Sequence, residues 1–375
     1  MRKIVFVILF LYCNLVIFAG GWCRYYAQTL DSYSSVSDLF ELNDTVYLST
    51  GQFPSMVFLR ASTGDTILTS SIAGGHSVHT PDGFIMSLQK ISANFELEWQ
   101  IPFADISNIG SLAEIIPYPN TNSSTWIYTG FSEGIIWGDF PSVATFPCIW
   151  QVNADGTHSN SVHILANFTE TVDWINWNGD NDIATQIDGD GLTVLANCNG
   201  NPCLITNVSM SSAPPYNKIC YYSVSRLLSL IQASDQSGYV MAGSGASLLK
   251  TDLSGNQQWL KFFIEGSIFE EVIATTDGGY LAVGQDTNEN IFVVKTDING
   301  NLQWQIKGIG FDGIVPTPDN STRELALATT QTSDGGYLVG GHVRGWTPPS
   351  SGEPNPYFYY PFFLKIDSTG NCRPS

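Results

Sequence analysis

Residues 268–307 read IFEEVIATTDGGYLAVGQDTNENIFVVKTDINGNLQWQIK, and this stretch decides the fold. Its β-branched and aromatic residues, which pleated strands favour, fall into four short runs at 270–276, 281–284, 291–297 and 301–307. The tetrapeptide DGGY at 277–280 separates the first two runs, and glycine accepts the positive φ of a tight turn. The stretch therefore predicts four antiparallel strands in one small sheet.

The same order of elements recurs on both sides of this unit. Downstream, residues 325–332 precede a second DGGY at 334–337, and a proline-rich insertion separates it from 362–367. Upstream, Tyr239 of the preceding unit lies 41 residues before Tyr280. This period, with four strands per unit, is typical of β-propeller blades, whereas a two-sheet sandwich or a β-solenoid explains the strands but not the unit.

A ten-residue frame joins the third and fourth strands of each unit. It reads KTDINGNLQW at 295–304 and KTDLSGNQQW at 250–259, with glycine in its sixth place. Weaker copies occur elsewhere in the chain, at 59–68, 90–99, 151–160, near 204–212 and from 365 onward. Seven frames predict seven blades. Six or eight are the alternatives, because the 31 residues between Gly64 and Phe95 are too few for a full blade.

The closure of the fold follows from the last unit. The chain ends just after the third strand of that unit, which leaves its blade without an outer strand. Residues 24–30, near the other terminus, are the available substitute. The prediction is an all-β protein in one domain over 22–375, a propeller of four-stranded antiparallel blades closed by an N-terminal strand.

The first residues predict a signal peptide over 1–21. A basic start, MRK, precedes an apolar run at 4–18 and the small residues AGG at 19–21. An uncleaved anchor is the alternative, although the run is shorter than the ~20 residues of a spanning helix. We therefore expect a secreted protein, extracellular, periplasmic or at the cell surface, without stable membrane insertion.

Charge limits the class of partner. The chain has 15 lysines and arginines against 34 aspartates and glutamates, a formal net charge of −19, and removing the two basic residues of the leader makes it −21. Phosphate backbones and anionic membranes are repelled by such a surface, so nucleic acid is excluded as a partner. Cations, cationic proteins and neutral glycans remain.

Residues 225–371 resemble the secreted repeat proteins of bacteria and archaea whose units read DGGY, KTD, NGN and W. This propeller family is related in pattern to quinoprotein-like and Kelch-like repeats. From 22 to 222 the resemblance is weak and survives mainly in the turn frames. It implies the propeller fold and says little about activity, because many members have no assigned activity.

Six cysteines remain once residues 1–21 are removed, and an even number suggests disulfides in an exported chain. The first expected pair follows from the closing strand, the second from a short hairpin, and the third by elimination among fifteen pairings. The expected pairs are Cys23 with Cys372, Cys198 with Cys203, and Cys148 with Cys220.

The tryptophans of the frame predict packing between adjacent blades, because a position repeated in several blades is explained by a core more simply than by one sugar platform: Trp99, Trp259 and Trp304. An acidic, aromatic segment at 173–190 breaks the repeat and is the main candidate binding site. Its candidate residues are Trp174, Trp177, Asp180, Asp182, Asp188 and Asp190. Its carboxylates suit calcium but lack the spacing of a helical calcium loop, its tryptophans suit a glycan, and a plain solvated loop is the alternative.

Two further features are candidates for surface roles. Five sequons are candidate N-glycosylation sites in a eukaryotic secretory pathway: Asn43, Asn122, Asn167, Asn207 and Asn320. The insertion at 345–360, rich in proline and aromatic residues, predicts a long loop that either binds a partner or only connects two strands.

The sequence contains no recognisable catalytic set. His76 and His79 lack a third ligand at zinc spacing, and no nucleophile elbow, phosphate loop, vicinal cysteine pair or organised histidine appears. The sequence favours a non-enzymatic extracellular binding or scaffold protein that presents loops to a protein or glycan and needs no cofactor. The alternative is an extracellular hydrolase or lyase with its active site in the central channel.

Overall fold

The computed structural model describes the chain at 13–16, 23–26, 36–43, 46–51, 56–70, 77–80, 83–86, 89–92, 96–101, 111–118, 125–136, 142–153, 155–157, 163–164, 184–188, 191–198, 201–208, 218–264, 266–309, 323–346 and 357–371. Two compact units are present, one formed by residues 1–75, 288–291 and 306–375, the other by 76–287 and 292–305. The described residues form strands and turns, and no helix among them is long and apolar enough to cross a membrane.

Six of the sheets are antiparallel meanders of four consecutive strands, which we number blades 1 to 6. Blade 1 comprises β3 (Val36–Asn43), β4 (Val46–Gly51), β5 (Met56–Arg60) and β6 (Thr66–Ser70), and blade 2 comprises β7 (Ser77–Thr80), β8 (Gly83–Met86), β9 (Gln89–Ser92) and β10 (Leu97–Gln100). Blade 3 comprises β11 (Ser111–Tyr118), β12 (Thr125–Ile136), β13 (Ser142–Asn153) and β14 (His163–Ile164), and blade 4 comprises β15 (Ala184–Asp188), β16 (Gly191–Cys198), β17 (Asn201–Val208) and β18 (Lys218–Tyr221). Blade 5 comprises β19 (Leu227–Gln232), β20 (Gly238–Gly243), β21 (Ser247–Asp252) and β22 (Gln257–Phe262), and blade 6 comprises β23 (Gly266–Ala274), β24 (Tyr280–Asp286), β25 (Ile291–Thr296) and β26 (Leu302–Ile309).

The seventh sheet joins the two ends of the chain. Its own strands are β27 (Arg323–Gln331), β28 (Tyr337–Trp346) and β29 (Tyr357–Ile366), and β1 (Cys13–Val16) and β2 (Cys23–Tyr26) complete it in the order β1-β2-β29-β28-β27. Because β2 pairs antiparallel with β29, the predicted closure by an N-terminal strand is confirmed, as is the number of seven blades. The outermost strand, β1, lies within the predicted signal peptide, so cleavage there would leave four strands in every blade.

Blade 2 corrects one expectation. The interval between Gly64 and Phe95 was predicted to be too short for a full blade, yet four strands lie between residues 77 and 100. Each of them has only four residues. A blade therefore fits because its strands are shortened, which the spacing of turn motifs alone does not reveal.

A glycine near the end of the second strand recurs in blades 5, 6 and 7. The first two strands shift register beside Gly243, Gly284 and Gly341, as they do at a β-bulge. A Cβ on these glycines would lie 2.1, 2.0 and 1.9 Å from a carbonyl oxygen in the first strand or, in blade 5, from that of Arg226 just before it. No larger residue fits without backbone movement, so the bulge explains a glycine that strand propensity disfavours.

Neighbouring blades bury apolar side chains between them. Tyr280 and Phe292 of blade 6 share a buried cluster with Val240 and Leu248 of blade 5. In the other compact unit, Phe363 of blade 7 packs in a cluster with side chains of blade 1 that include Val36, Leu39 and Tyr47. Blade-to-blade packing of this kind is how a repeat fold builds one continuous core.

The insertion at 345–360 differs from the predicted long loop. β28 continues to Trp346 and β29 begins at Tyr357, so both ends of the insertion are strand, and the prediction is wrong there. The aromatic flanks continue the backbone hydrogen-bond ladder, whereas the four prolines, at 348, 349, 354 and 356, lie outside the two strands. The tip at 347–356 lies outside the described residues.

Candidate functional site

The aspartate of the turn frame is bound by its own turn. In blade 6, Oδ1 of Asp297 accepts hydrogen bonds from the backbone N–H groups of Asn299 and Asn301 at 2.9 and 2.8 Å, and Oδ2 accepts one from the Asn301 amide at 2.9 Å. Gly300 follows with a φ of 72°, which glycine adopts without strain. Partial burial raises the pKa of Asp297, but the hydrogen bonds from Asn301 and Asn299 outweigh it and hold that pKa below its ordinary value.

Blades 5 and 7 repeat this arrangement. Asp252 binds the backbone of Ser254 and Asn256, and Asp367 binds that of Thr369 and Asn371. These carboxylates therefore stabilise their own turns by binding nearby backbone amides.

A second repeated contact, which the sequence analysis missed, joins the lysine that begins the frame to the aspartate of the turn between the first two strands. In blade 6, Nζ of Lys295 lies 2.8 Å from Oδ2 of Asp277 and also donates to the Thr296 carbonyl and the Gln303 side chain, both at 2.9 Å. Partial burial raises the pKa of Asp277, but the hydrogen bonds from Lys295, Thr275 and Gly279 lower it to about 2. The equivalent pairs are Lys250 with Asp235 and Lys365 with Asp334, both at 2.8 Å.

Two of the frame tryptophans, Trp99 and Trp259, lie against the glycine of the next frame along the chain. A Cβ on Gly156 would lie 3.0 Å from the Trp99 ring, and one on Gly300 would lie 3.0 Å from the Trp259 ring. Trp259 is half-buried and packs against the core shared by blades 5 and 6, with its ring centre 6.3 Å from that of Tyr280. Trp304 is half-buried as well.

Replacing Trp259 with alanine should lower the free energy of unfolding by about 2 kcal/mol, because it empties the space beneath Gly300. Chemical denaturation of the variant and the parent measures the difference. Gln257→Ala, an exposed change on the same strand, is the control and should leave stability within about 0.5 kcal/mol of the parent. Equal stability of the Trp259 variant and the control would show that the indole does not join the blades.

Blade 4 has a cysteine where blades 2 and 5 have this tryptophan. Cys220 pairs with Leu204 as Trp259 pairs with Lys250, and a Cβ on Gly255 of the next frame would lie 2.7 Å from its sulfur. Cys220 is a free thiol, so the predicted Cys148–Cys220 disulfide is not formed. The reason is that its side chain packs beneath the next blade, in the place that an indole fills elsewhere.

The other two disulfides, Cys23 with Cys372 and Cys198 with Cys203, stay predictions. Cys203 is disulfide-bonded, but its partner is not among the described side chains. The β16–β17 register pairs Cys203 with Ala196, and Cys198 with Asn201. Cys23 begins β2, whereas Cys372 lies outside the described residues.

Most of the predicted binding segment at 173–190 lies outside the described residues. Of its six candidates, only Asp188 is described, as the last residue of β15, and for its backbone alone. Within the part of the chain that the structure describes, no group of three or more His, Cys, Asp or Glu side chains could hold a metal ion. Among the sequons, Asn43 ends β3 and Asn207 lies in β17, and the other three are not described.

The hairpin of β28 and β29 is the candidate site that the structure does describe. It continues for five residue pairs beyond the Gly341–Phe362 pair, from His342–Pro361 to Trp346–Tyr357. The corresponding hairpin of blade 5 stops at Gly243–Ser247. We call residues 342–346 and 357–361 the arm. It extends the hairpin beyond its length in blade 5, as the twelve-pair β12–β13 hairpin of blade 3 also does. Extensions on a rigid scaffold are where binding residues concentrate, and the arm is the extension with described side chains.

One face of the arm carries three side chains that can interact with a ligand. The His342 ring meets the Tyr359 ring edge-on, with ring centres 4.8 Å apart at 90°. Arg344 pairs with Tyr359 and therefore lies on the same face of the ribbon. Nδ1 of His342 is buried and has no hydrogen-bond partner among the described residues. Burial, and after it the charge of Arg344, lower the pKa of His342 from 6.5 to about 4.

Comparison with known proteins shows the fold. No protein-family model matches the chain, and no curated protein matches it. It is similar to the crystal structure of the RRP9 WD40 repeats, at 9% identity with a TM-score of 0.56, covering 92% of this chain and 97% of that one. It is also similar to the structure of U3-55K, at 8% identity with a TM-score of 0.55, covering 91% and 98%. These likenesses establish a β-propeller.

Proposed function

We propose that this chain is a secreted, non-enzymatic scaffold that binds a protein or a glycan and uses the arm of blade 7 as a contact segment. The observation that carries the proposal is that the repeated charged side chains, the lysines and aspartates of the turns and frames, are engaged within the blades, whereas the arm extends beyond the repeat. Propellers commonly serve many functions on one fold, so the argument rests on the residues and not on the fold.

The repeated carboxylates are poorly suited to acid catalysis. Asp277 and Asp297 have lowered pKa values and are bound by lysine or by backbone amides, so both are ionised at neutral pH. A general acid in a hydrolase or lyase needs a pKa near the working pH. The lysines of the frame are equally engaged, since Lys295 is buried with three kinds of acceptor around it. These contacts support a structural role for the repeat and favour binding over the enzymatic alternative.

The arm offers chemistry that recognition segments use. Tyrosine provides a rigid amphipathic surface, and arginine provides a planar set of donors, and both are enriched where proteins bind partners. Arg344 and Tyr359 are half-exposed on the arm. The acidic surface adds a preference, because a formal charge of −19 favours cationic protein partners and tolerates neutral glycans.

Secretion belongs to the proposal and is supported by the sequence. The apolar run at 4–18 and the small residues at 19–21 have the form of a leader, and the large acidic excess is compatible with export. The resemblance of residues 225–371 to secreted bacterial and archaeal repeat proteins points the same way. N-terminal sequencing of the protein recovered from the medium of a secreting host should begin near residue 22.

Two shortened hairpins test the arm. In the first variant, Asn-Gly replaces residues 347–356 and joins Trp346 to Tyr357, which are already paired. In the second, Asn-Gly replaces residues 343–360 and joins His342 to Pro361, so the arm is removed beyond its first pair. Parent and variants are applied to a glycan array and to a panel of cationic extracellular proteins. The arm-less variant should lose binding about tenfold or more. Because it also removes the buried Val343, which pairs with Glu324 of β27, the thermal midpoint of each variant is measured to confirm that it is folded at the assay temperature.

The outcomes separate the parts of the proposal. If both variants bind as tightly as the parent, the contact segment lies elsewhere on the propeller. If the parent binds nothing on either the array or the panel, the binding function itself is contradicted. If only the arm-less variant loses binding, the result supports the arm as the contact segment.

A further inference from the structure

We infer that the arm is a pH-sensitive element: protonation of His342 opens it, so that a ligand held by the arm is released on acidification. The release rests on the proposed function, whereas the opening concerns the arm alone and can be tested without a ligand. The geometry that motivates the inference is a half-buried imidazole in an extended hairpin. Its Nδ1 atom is buried and has no hydrogen-bond partner among the described residues, and a guanidinium lies on the same face of the ribbon.

The environment of His342 suits the neutral ring. Its Nδ1 has no hydrogen-bond partner among the described residues, so an N–H formed there by protonation would have no acceptor. The ring packs edge-on against Tyr359. A charged imidazolium in this place would be poorly solvated and would face the positive charge of Arg344. The ring lies at the base of the arm, in the first pair beyond the regular blade, so its displacement disrupts the pairs that follow.

Several charged groups lie on the strands around this ring. Besides Arg344 on β28 and Tyr359 on β29, the adjacent strands carry Arg323 and the buried Glu324 on β27, and Asp38 and Glu41 on β3. Glu324 pairs with Val343, so its side chain lies on the opposite face of the ribbon from His342. Arg323 forms an ion pair with Glu289, and the Glu41 carboxylate accepts hydrogen bonds from the Ser333 backbone and hydroxyl at 2.6 and 3.0 Å. Burial and Arg344 govern the ring, and both oppose its protonation.

The sign of the pH effect follows from the lowered pKa. In the opened arm the imidazole recovers its ordinary pKa of 6.5, whereas in the closed arm the pKa is about 4. Between these values the opened state binds the proton and the closed state does not, so the closed arm loses stability as pH falls from about 6.5 to 4. From pH 7 to pH 5 the opening equilibrium should rise about 20-fold.

Hydrogen exchange of the full chain measures the opening directly. Peptides covering 342–346 and 357–361 are compared at pH 7 and pH 5, after correction for the intrinsic exchange rate at each pH. Their protection should fall about 20-fold at pH 5, whereas a control peptide from β24 and β25 of blade 6, which contain no histidine, should keep its protection.

Two variants keep the test decisive. His342→Phe retains an aromatic ring against Tyr359 and cannot be protonated, so its arm should be equally protected at both pH values. His342→Gln is read in its place if the phenylalanine variant does not fold. The inference is overturned if the parent arm keeps its protection at pH 5, or if the folded variant loses protection as the parent does. Either result leaves the proposed binding function standing, because neither measurement involves a ligand.

Discussion

Replacing Gly279 with alanine should lower the free energy of unfolding by about 4 kcal/mol. A Cβ at this position would lie 2.1 Å from the Thr296 carbonyl oxygen and 2.6 Å from Nζ of Lys295. The first of these atoms belongs to a strand backbone and cannot rotate away. Relief of the clash therefore separates β24 from β25 and displaces the buried lysine. The shift of the denaturation midpoint in urea measures the loss.

The adjacent glycine is the matched control. A Cβ on Gly278 would meet nothing within 4 Å, but the residue has a φ of 86°. Gly278→Ala therefore costs only the strain of the left-handed conformation, about 1 kcal/mol. The two variants add the same methyl group to neighbouring positions of one turn. If they were equally stable, close approach to β25 would not be the reason for the second glycine of DGGY.

Lys295→Ala should lower the free energy of unfolding by about 3 kcal/mol, because it removes a buried cation from four acceptors that remain. Those acceptor atoms are the two carboxylate oxygens of Asp277, the Thr296 carbonyl oxygen and the side-chain amide oxygen of Gln303. Lys261→Ala, a half-exposed lysine of blade 5, is the control and should have little effect. Chemical denaturation at pH 7 measures both.

A double-mutant cycle with Asp277→Asn isolates the pair. The carboxylate is about half exposed, so the coupling should be smaller than the loss on truncating the lysine, near 1 kcal/mol. Because the folded pKa of Asp277 is about 2, below its ordinary value of 3.8, the coupling is complete above pH 4 and disappears as pH falls towards 2. A coupling that is unchanged at pH 2 would show that the ion pair contributes nothing to it.

The contact between Lys295 and Asp277 was not predicted from the sequence. Asp277 and Lys295 belong to the two most conspicuous motifs of the repeat, DGGY and KTD, and each was read as a separate local signature. They meet because β25 runs antiparallel beside β24, so the end of β25 lies next to the turn that precedes β24. A recurring pair of motifs at constant spacing is the signal that could have predicted this contact.

For Cys220 the sequence predicted a contact, a disulfide bond, that the structure does not contain. An even count of cysteines predicted that it would pair, and elimination assigned Cys148 as its partner. The fold instead assigns it the place of the frame tryptophan in blade 4, against Gly255, where its sulfur makes a 3.5 Å contact with the Ser254 carbonyl. A count of cysteines cannot detect this role, and the sequence before Cys220 lacks the lysine, aspartate and glycine by which the frame is recognised.

The sequence by itself determined the fold class, the seven blades and the closing strand, because these depend on short-range patterns: strand runs rich in β-branched and aromatic residues, turn glycines, and a frame that recurs at a blade's length. The tertiary structure decided what happens between segments distant in sequence. Shortened strands make blade 2, lysines reach aspartates across a blade, an indole lies beneath the next glycine, and two aromatic flanks become one arm. Such contacts depend on register and on how much space a neighbouring blade leaves, and neither quantity is written in a local pattern.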